Sequence, residues 1–278
     1  MKMNFRLLSK NPLVWSFLLL PLLSCEKSTG PGIYEPEVPV LPPLLLEWTD
    51  QQSIVCFGTS ITAGYTGFGH TAGPIVPGTW TFDSSLSQKQ LAAEAYSWPD
   101  YAYPAQLGKT LKIRVYNQGY LGATTQRALT LVFDSVLSKS PVLVLLEFGA
   151  NDLLQGIDAS VAEQRLDSLI GIIEAAGSQV VLISFLYPEM IQNIPPDHPL
   201  AGEKEIGWTY LEMLRRVASE NSIQIVEYAL VGIYWYDEMM SDDIHPNEAG
   251  YKRMQENISR SLSRTFSENG MLANQAFP

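Results

Sequence analysis

The sequence predicts an α/β fold, a three-layer αβα sandwich in which helices cover both faces of a five-stranded parallel sheet. Short apolar runs alternate with stretches of helical periodicity along residues 53–265, which is typical of strands joined by crossover helices. The runs carry few polar residues, as expected for strands that are buried on both faces. Without its first 24 residues the chain has 254 residues, no internal repeat and no second linker, which favours one domain.

The predicted elements follow one another in strict alternation. The apolar runs predict strands over residues 53–57, 111–116, 142–148, 179–185 and 223–228. The amphipathic stretches predict helices over about 98–110, 125–137, 159–176, 203–221 and 246–265, the third with Asp158 as N-cap and the last opened by Pro246. Residues 66–97, rich in glycine and aromatic residues, and residues 187–207, with four prolines, are predicted to be long loops. Loops of this length inside a compact domain are usually functional or disordered.

The N-terminus has the pattern of a secretory signal. Lys2, Arg6 and Lys10 precede an apolar run over 13–23, which is too short for a comfortable membrane span. Residues 22–25 read Leu-Leu-Ser-Cys and resemble the bacterial lipobox, which implies cleavage after residue 24 and lipidation of Cys25. The predicted location is then the bacterial cell envelope, lipid-anchored, on the periplasmic side or at the cell surface. A plain signal peptide or an apolar anchor, with Cys25 incidental, is the alternative.

The remaining sequence divides into a tether, a domain and a tail. Residues 25–48 hold Cys25 and five prolines and predict a semi-rigid tether, although residues 44–48 could instead pack on the domain. Residues 49–266 form the predicted domain, and residues 267–278 a disordered tail. With Cys25 lipidated, Cys56 is the one remaining thiol, so no internal disulfide is possible, and its apolar neighbours predict a buried small hydrophobe.

Charge excludes one class of partner. Residues 1–24 carry three positive and no negative charges, so the processed chain has 15 Lys+Arg against 29 Asp+Glu, a net charge of −14. Nucleic-acid binding needs a basic surface, which this composition does not supply. Anionic lipid would also be repelled, so membrane association is expected through the N-terminal lipid only. The sequence carries no signal for an oligomeric state.

A carboxylate and an imidazole lie three residues apart near the C-terminus. Residues 241–246 read Ser-Asp-Asp-Ile-His-Pro, and the spacing favours Asp242 over Asp243 as the partner of His245, because three residues let the two side chains fold together. Such a loop suits a histidine base that an aspartate holds in one tautomer. Far upstream, Ser60 follows a Gly-Thr pair at the end of the first predicted strand and is a candidate nucleophile. A serine in that context is by itself more often a turn or cap residue.

Two further blocks follow predicted strands. Residues 117–125 read Asn-Gln-Gly-Tyr-Leu-Gly-Ala-Thr-Thr, where Gly122 could bring a bare backbone N–H against a ligand, unless the block is simply a glycine-containing loop. Residues 147–152 read Glu-Phe-Gly-Ala-Asn-Asp, where the Asn151 amide could donate to a developing negative charge, although an Asn-Asp pair is equally a turn signal. His70 and His198 lie in the long loops without a carboxylate at comparable spacing. No metal site is predicted, because three scattered histidines share no ligand spacing.

In this order the four blocks resemble those of the SGNH (GDSL-like) hydrolase family, which is named for Ser, Gly, Asn and His. The matching residues are Ser60, Gly122, Asn151 and His245, with Asp242 in the family's Asp-x-x-His. Residues 145–153 and 239–246 are similar to the branch of arylesterases, acyl thioesterases and lysophospholipases. The resemblance covers nearly all of residues 53–265 and implies the flavodoxin-like fold of that family. One departure is Gly-Thr-Ser at residues 58–60, where the family usually has Gly-Asp-Ser, so local hydrogen bonding must differ; the insert over 66–97 is also longer than in compact members.

The resemblance implies a serine ester hydrolase that works through an acyl-enzyme on Ser60, with His245 as the base and Asp242 orienting it. Its oxyanion hole would combine the Ser60 and Gly122 backbone N–H groups with the Asn151 amide, and no metal or organic cofactor is required. Expected substrates are aryl or acyl esters, thioesters or lysophospholipids. The aromatic-rich insert and the location favour, as an alternative, a carbohydrate O-acetylesterase acting on polysaccharide. The same fold could also serve an O-acyltransferase or a non-catalytic surface binding protein, and the intact set of catalytic residues argues against the binding protein.

Overall fold

The fold is a five-stranded parallel sheet between helices, as the sequence predicts. A computed structural model describes residues 52–66, 99–111, 113–196 and 201–268, with side chains up to residue 262. The strands are β1 (Ser53–Gly58), β2 (Arg114–Gly119), β3 (Leu143–Glu147), β4 (Gln179–Ile183) and β5 (Gln224–Val226). They lie in the order β2-β1-β3-β4-β5, and every neighbouring pair is parallel. This order is that of the flavodoxin-like class, whose ligands bind at the carboxyl ends of the strands near the point where the order reverses.

The helices form the two outer layers. They are α1 (Ser60–Ala63), α2 (Tyr103–Leu111), α3 (Thr125–Ser135), α4 (Ala150–Leu154), α5 (Ala159–Ala175), α6 (Pro188–Gln192), α7 (Lys204–Glu220) and α8 (Glu248–Glu268). Helices α3, α5 and α7 pack in a row, and α2 packs against α8. Strands β1, β3 and β4 are almost fully buried between the layers, which explains their apolar composition, whereas the first half of the edge strand β2 is partly exposed. Cys56 lies in β1 as a free, fully buried thiol, and burial raises its pKa.

The second strand corrects the sequence prediction. The apolar run predicts it over 111–116, but β2 begins at Arg114, because Leu111 is the last residue of α2 and turns its side chain into the core. The strand then continues to Gly119, so the block that is predicted to follow the strand is partly inside it. A Cβ at Gly119 would lie 2.1 Å from the backbone nitrogen of Ala63, so only glycine lets β2 pass this close to α1.

Three other details differ from the predictions. The predicted loop over 187–207 contains α6, a 3₁₀ turn over Ala201–Glu203 and the start of α7. Asp158 occupies the position before α5, but its side chain makes no capping hydrogen bond. The last helix begins at Glu248, two residues after Pro246.

Several predictions fall outside the described residues. The signal over 1–24, Cys25, the tether to residue 48 and nearly all of the insert at 66–97 belong to this group, and they stay predictions. Helix α8 reaches Glu268, two residues into the predicted tail, and residues 269–278 lie outside the description. Within the described part of the chain, no helix is both long and apolar enough to cross a membrane.

Candidate active site

The end of β1 places Ser60 at the carboxyl edge of the sheet. After Gly58 the chain leaves the strand, and α1 begins at Ser60 with Thr59 as its N-cap. The Thr59 hydroxyl accepts a hydrogen bond from the Ile61 N–H at 3.3 Å, which fixes the first turn on either side of Ser60. Helix α1 ends after one turn at Gly64, whose φ of 79° lies in the left-handed region that favours glycine. The half-buried Ser60 side chain therefore projects from a short, capped turn.

Ser60, His245 and Asp242 form a continuous chain of hydrogen bonds. The Ser60 Oγ lies 3.0 Å from the His245 Nε2. On the other side of the ring, the His245 Nδ1 lies 2.8 Å from the Asp242 Oδ2 and 3.0 Å from its Oδ1. An ionised carboxylate can only accept, so Nδ1 carries the proton and Nε2 is free to accept the serine proton.

The loop around Asp242 is held by its own carboxylate. The Asp242 Oδ1 accepts from the backbone N–H groups of Ile244 at 2.8 Å and His245 at 2.7 Å. Partial burial raises the pKa of Asp242, but the hydrogen bonds from the His245 ring and from the two backbone groups outweigh burial, so the pKa lies below its usual range. Asp242 therefore stays ionised beside the imidazole, whereas Asp243 is exposed.

Tyr65 packs against the same histidine. The Tyr65 and His245 ring centres are 4.9 Å apart and nearly perpendicular, at 86°. The Tyr65 carbonyl accepts a hydrogen bond from the hydroxyl of Tyr251 in α8, at 2.6 Å. The ring thus limits the freedom of the imidazole, and the His245 side chain is only 11% exposed. The contact of Tyr65 with His245 could not be predicted from the sequence, because no local spacing links the two residues.

Gly122 and Asn151 lie in loops that follow β2 and β3. Gly122 has a φ of 68°, a conformation that favours glycine, in a turn where the Ala123 N–H donates to the Tyr120 carbonyl at 3.2 Å. The Asn151 Nδ2 donates to the Ala123 carbonyl at 2.9 Å, which connects the two loops and leaves its second N–H for a ligand. Within the described part of the chain, the backbone N–H groups of Ser60 and Gly122 have no hydrogen-bond partner.

Asp152, the residue after Asn151, connects α4 to the first residue of α3 by hydrogen bonds. Its fully buried carboxylate accepts from the Thr125 N–H at 2.8 Å and from the Thr125 hydroxyl at 2.5 Å. The Arg165 guanidinium lies 3.7 Å away. Burial raises the pKa of Asp152, and the bonds from Thr125 together with the charge of Arg165 offset only part of this effect. Thr124 is the N-cap of α3 and its hydroxyl accepts from the Arg127 N–H, so Thr125 is free to bond Asp152.

Thr59 stands where the family that the sequence resembles usually has aspartate, and it forms hydrogen bonds with Glu147. Its N–H and hydroxyl donate to the Glu147 Oε2 at 3.0 and 2.8 Å, and the Thr62 hydroxyl donates to the same oxygen at 3.0 Å. Glu147 ends β3, the neighbour of β1, and is 1% exposed. Burial raises the pKa of Glu147 to about 7, against the lowering effect of the bonds from Thr59 and Thr62.

His70 and His198 lie outside the described residues. Across the residues that the structure describes, no three His, Cys, Asp or Glu side chains are grouped so that they could hold a metal ion. The described residues therefore offer a serine hydroxyl, a histidine that can accept its proton, a carboxylate bonded to that histidine and N–H donors in the loops after β2 and β3, a set suited to acyl transfer.

Comparison with known proteins gives the family. Residues 56–253 match the model of the GDSL-like Lipase/Acylhydrolase family. An esterase TesA from Pseudomonas aeruginosa is 28% identical over 79% of this chain and 92% of its own length. An arylesterase from Vibrio mimicus is 26% identical over 65% of this chain and 84% of its own.

Solved structures agree on the fold. A crystal structure of TesA superimposes with a TM-score of 0.57 at 22% identity, covering 77% of this chain and 99% of the other. A catalytic mutant of an acetylxylan esterase from Geobacillus stearothermophilus gives 0.53 at 16% identity, covering 78% and 96%. The family match spans well over half of the residues, and the chain belongs to the GDSL-like lipase/acylhydrolase family.

Proposed function

We propose that the protein hydrolyses carboxylic esters through an acyl-enzyme on Ser60. The observation that carries the proposal is the unbroken hydrogen-bonded sequence from the Ser60 Oγ to the His245 Nε2, at 3.0 Å, and from the His245 Nδ1 to the Asp242 carboxylate, at 2.8 Å. These distances lie within the range in which a base can take the proton of a nucleophile. Membership of an esterase family supports the same reaction.

In the acylation half, the Ser60 Oγ attacks the ester carbonyl carbon while the His245 Nε2 takes the hydroxyl proton. A tetrahedral oxyanion forms, and Asp242 stabilises the resulting imidazolium through Nδ1. The oxyanion then collapses, the bond to the alcohol oxygen breaks, and Nε2 gives its proton to that alcohol. In the deacylation half, water attacks the acyl carbon with Nε2 again as base, and the acid leaves as Ser60 regains its proton.

We assign the oxyanion to three donors, the backbone N–H groups of Ser60 and Gly122 and the side-chain amide of Asn151. The bond from Asn151 to the Ala123 carbonyl, at 2.9 Å, supports this assignment because it orients the amide before substrate binds. Ser60 is also the first residue of α1, and the first N–H groups of a helix have no partner within it. Prepositioned donors of this kind stabilise charge that develops only in the transition state.

Aryl or acyl esters, thioesters and lysophospholipids are the substrates that the names of the relatives support, since these are arylesterase, esterase TesA and thioesterase 1/protease 1/lysophospholipase L1. A polysaccharide acetyl ester is the second candidate, supported by the aromatic-rich sequence of residues 66–97. The enzymatic names of the relatives argue against a non-catalytic binding protein, and nothing in them favours an O-acyltransferase. We further propose that lipidated Cys25 holds the enzyme at the cell envelope, as the Leu-Leu-Ser-Cys run suggests.

Covalent labelling with a fluorophosphonate tests the nucleophile. The reagent forms a bond from the serine oxygen to phosphorus and releases fluoride, so a reactive serine gains one phosphonyl group. We expect one adduct per chain, located by peptide mass spectrometry on Ser60, and none in Ser60→Ala. Ser168→Ala, which removes an exposed hydroxyl bonded within α5, serves as control and should label fully. An adduct on another serine, or labelling that persists in Ser60→Ala, would refute the assignment.

A further inference from the structure

Glu147 is a buried acid that the hydrolytic steps do not use. Its carboxylate lies under the turn that carries Ser60, and no lysine, arginine or histidine of the described chain forms an ion pair with it. It accepts from the Thr59 N–H, the Thr59 hydroxyl and the Thr62 hydroxyl. Burying an acid without a cation is costly, and these donors all belong to the turn formed by Thr59 and α1. All of these hydrogen bonds therefore connect the Glu147 carboxylate to the turn that carries Ser60.

The main chain leaves room for this carboxylate. Gly58 is the partner of Glu147 in the pairing of β1 with β3. A Cβ at Gly58 would lie 2.7 Å from the Glu147 Oε2 and 2.1 Å from the Thr62 Oγ1. Any larger residue would displace the side chains that make the hydrogen bonds. Glycine at position 58 therefore leaves the space in which Glu147 reaches Thr59.

Thr59 can donate a side-chain hydrogen bond to Glu147, which an ionised aspartate at this position could not do. The Thr59 hydroxyl uses both of its capacities, because it donates to Glu147 at 2.8 Å and accepts from the Ile61 N–H at 3.3 Å. An ionised aspartate could accept from Ile61 but could not donate to Glu147, and it would set two carboxylates face to face in a buried site. The Gly-Thr-Ser sequence thus fits the presence of Glu147.

Three tyrosine side chains of the described residues also interact with Glu147. The Tyr103 hydroxyl in α2 lies 3.3 Å from the Thr62 Oγ1. Burial raises the pKa of Tyr103, of Tyr234 in the loop before Asp242 and of Tyr251 in α8, and the charge of Glu147 raises each further. Among the described residues, these three phenols therefore stay neutral beside the Glu147 carboxylate at neutral pH.

We propose that Glu147 is a positioning residue, which acts through the Thr59 hydroxyl and N–H to hold the Ser60 turn at the distance and angle that His245 requires. The positioning depends on the hydrogen bonds between Thr59 and Glu147, so losing either side chain should have a similar effect. This inference rests on the proposed function, since it assigns the carboxylate a task in presenting the nucleophile. A misplaced nucleophile costs turnover while leaving substrate affinity largely intact.

Steady-state kinetics on p-nitrophenyl acetate test the pairing. We expect Thr59→Val, which removes the hydroxyl at constant shape, and Glu147→Gln to lower kcat by about 10–100-fold with KM within about twofold. Thr59→Ser, which keeps the hydroxyl, should stay within about threefold of the wild type. Thr209→Val, at an exposed threonine bonded within α7, is the matched control and should be unchanged. Circular dichroism and thermal melting establish that each variant is folded.

A double substitution that adds a carboxylate at position 59 and removes the one at position 147 distinguishes a positioning role from a simple loss of packing. Thr59→Asp should lose more activity than Thr59→Val, because two carboxylates then compete in the buried site. Adding Glu147→Gln to Thr59→Asp should recover at least about tenfold in kcat, since the new amide can donate to the new carboxylate. Wild-type kcat in Thr59→Val and Glu147→Gln, with Ser60→Ala inactive, would overturn the positioning role and leave the proposed function standing. Equal activity in Ser60→Ala and wild type would overturn both.

Discussion

Replacing Glu147 by glutamine removes a buried charge while keeping the size of the side chain, and it should change how stability depends on pH. The carboxyl has an ordinary pKa of 4.5 when the chain is unfolded, and burial raises it to about 7 in the folded protein. The folded state therefore binds the proton more tightly, so the free energy of unfolding falls as pH rises from about 4.5 to about 7 and is level above that. A difference of about 2.5 pKa units corresponds to about 3 kcal/mol.

The assay is urea unfolding of wild type and Glu147→Gln at several pH values between 4.5 and 8.5. The stability of the wild type relative to the variant should drop by about 3 kcal/mol over that range. Glu163→Gln is the control: the hydrogen bond from Arg216 lowers the pKa of Glu163, so its contribution is lost as pH falls, the opposite direction. Stability curves of wild type and Glu147→Gln that run parallel from pH 4.5 to 8.5 would refute the reasoning.

Three further substitutions address the site. Asp242→Asn keeps the shape but removes the charge that orients His245, and kcat for an aryl ester should fall by about 10³–10⁴-fold; a fall below tenfold would contradict the orienting role. Asn151→Ala removes one oxyanion donor and should cost about 10²–10³ in kcat with little change in KM, whereas a rise in KM alone would point to ground-state binding. Asp152→Ala leaves the Thr125 N–H without its acceptor and should lower the free energy of unfolding by about 2–3 kcal/mol in urea; unchanged stability would show that water replaces the carboxylate.

Most of the sheet could be predicted from sequence because β1, β3 and β4 are short, apolar and buried on both faces. Residues 143–147 form an uninterrupted apolar run up to Glu147, and β3 occupies these residues. The prediction of β2 was wrong by three residues, since Leu111 is equally suited to the end of a buried helix and to the start of a strand. Short helices such as α4 and α6 were missed because one turn carries no periodicity.

Some contacts of the site could be predicted from the sequence and others could not. The Asp242–His245 pair is only three residues apart, so spacing indicates the contact. The bonds from Thr59 to Glu147 and from Tyr251 to the Tyr65 carbonyl join residues 88 and 186 positions apart, and no pattern in one sequence connects them. The Thr59–Glu147 contact depends on the strand order, which places β1 beside β3.

The claim that Ser60 is the nucleophile of an esterase is tested by the hydrolysis of p-nitrophenyl acetate and octanoate by wild type and Ser60→Ala. We expect turnover in the wild type and a loss of about 10⁴-fold or more in Ser60→Ala, with the acetate-to-octanoate ratio separating a deacetylase from a longer-chain esterase. Equal rates in the two proteins, or no hydrolysis of either ester by the wild type, would contradict the claim.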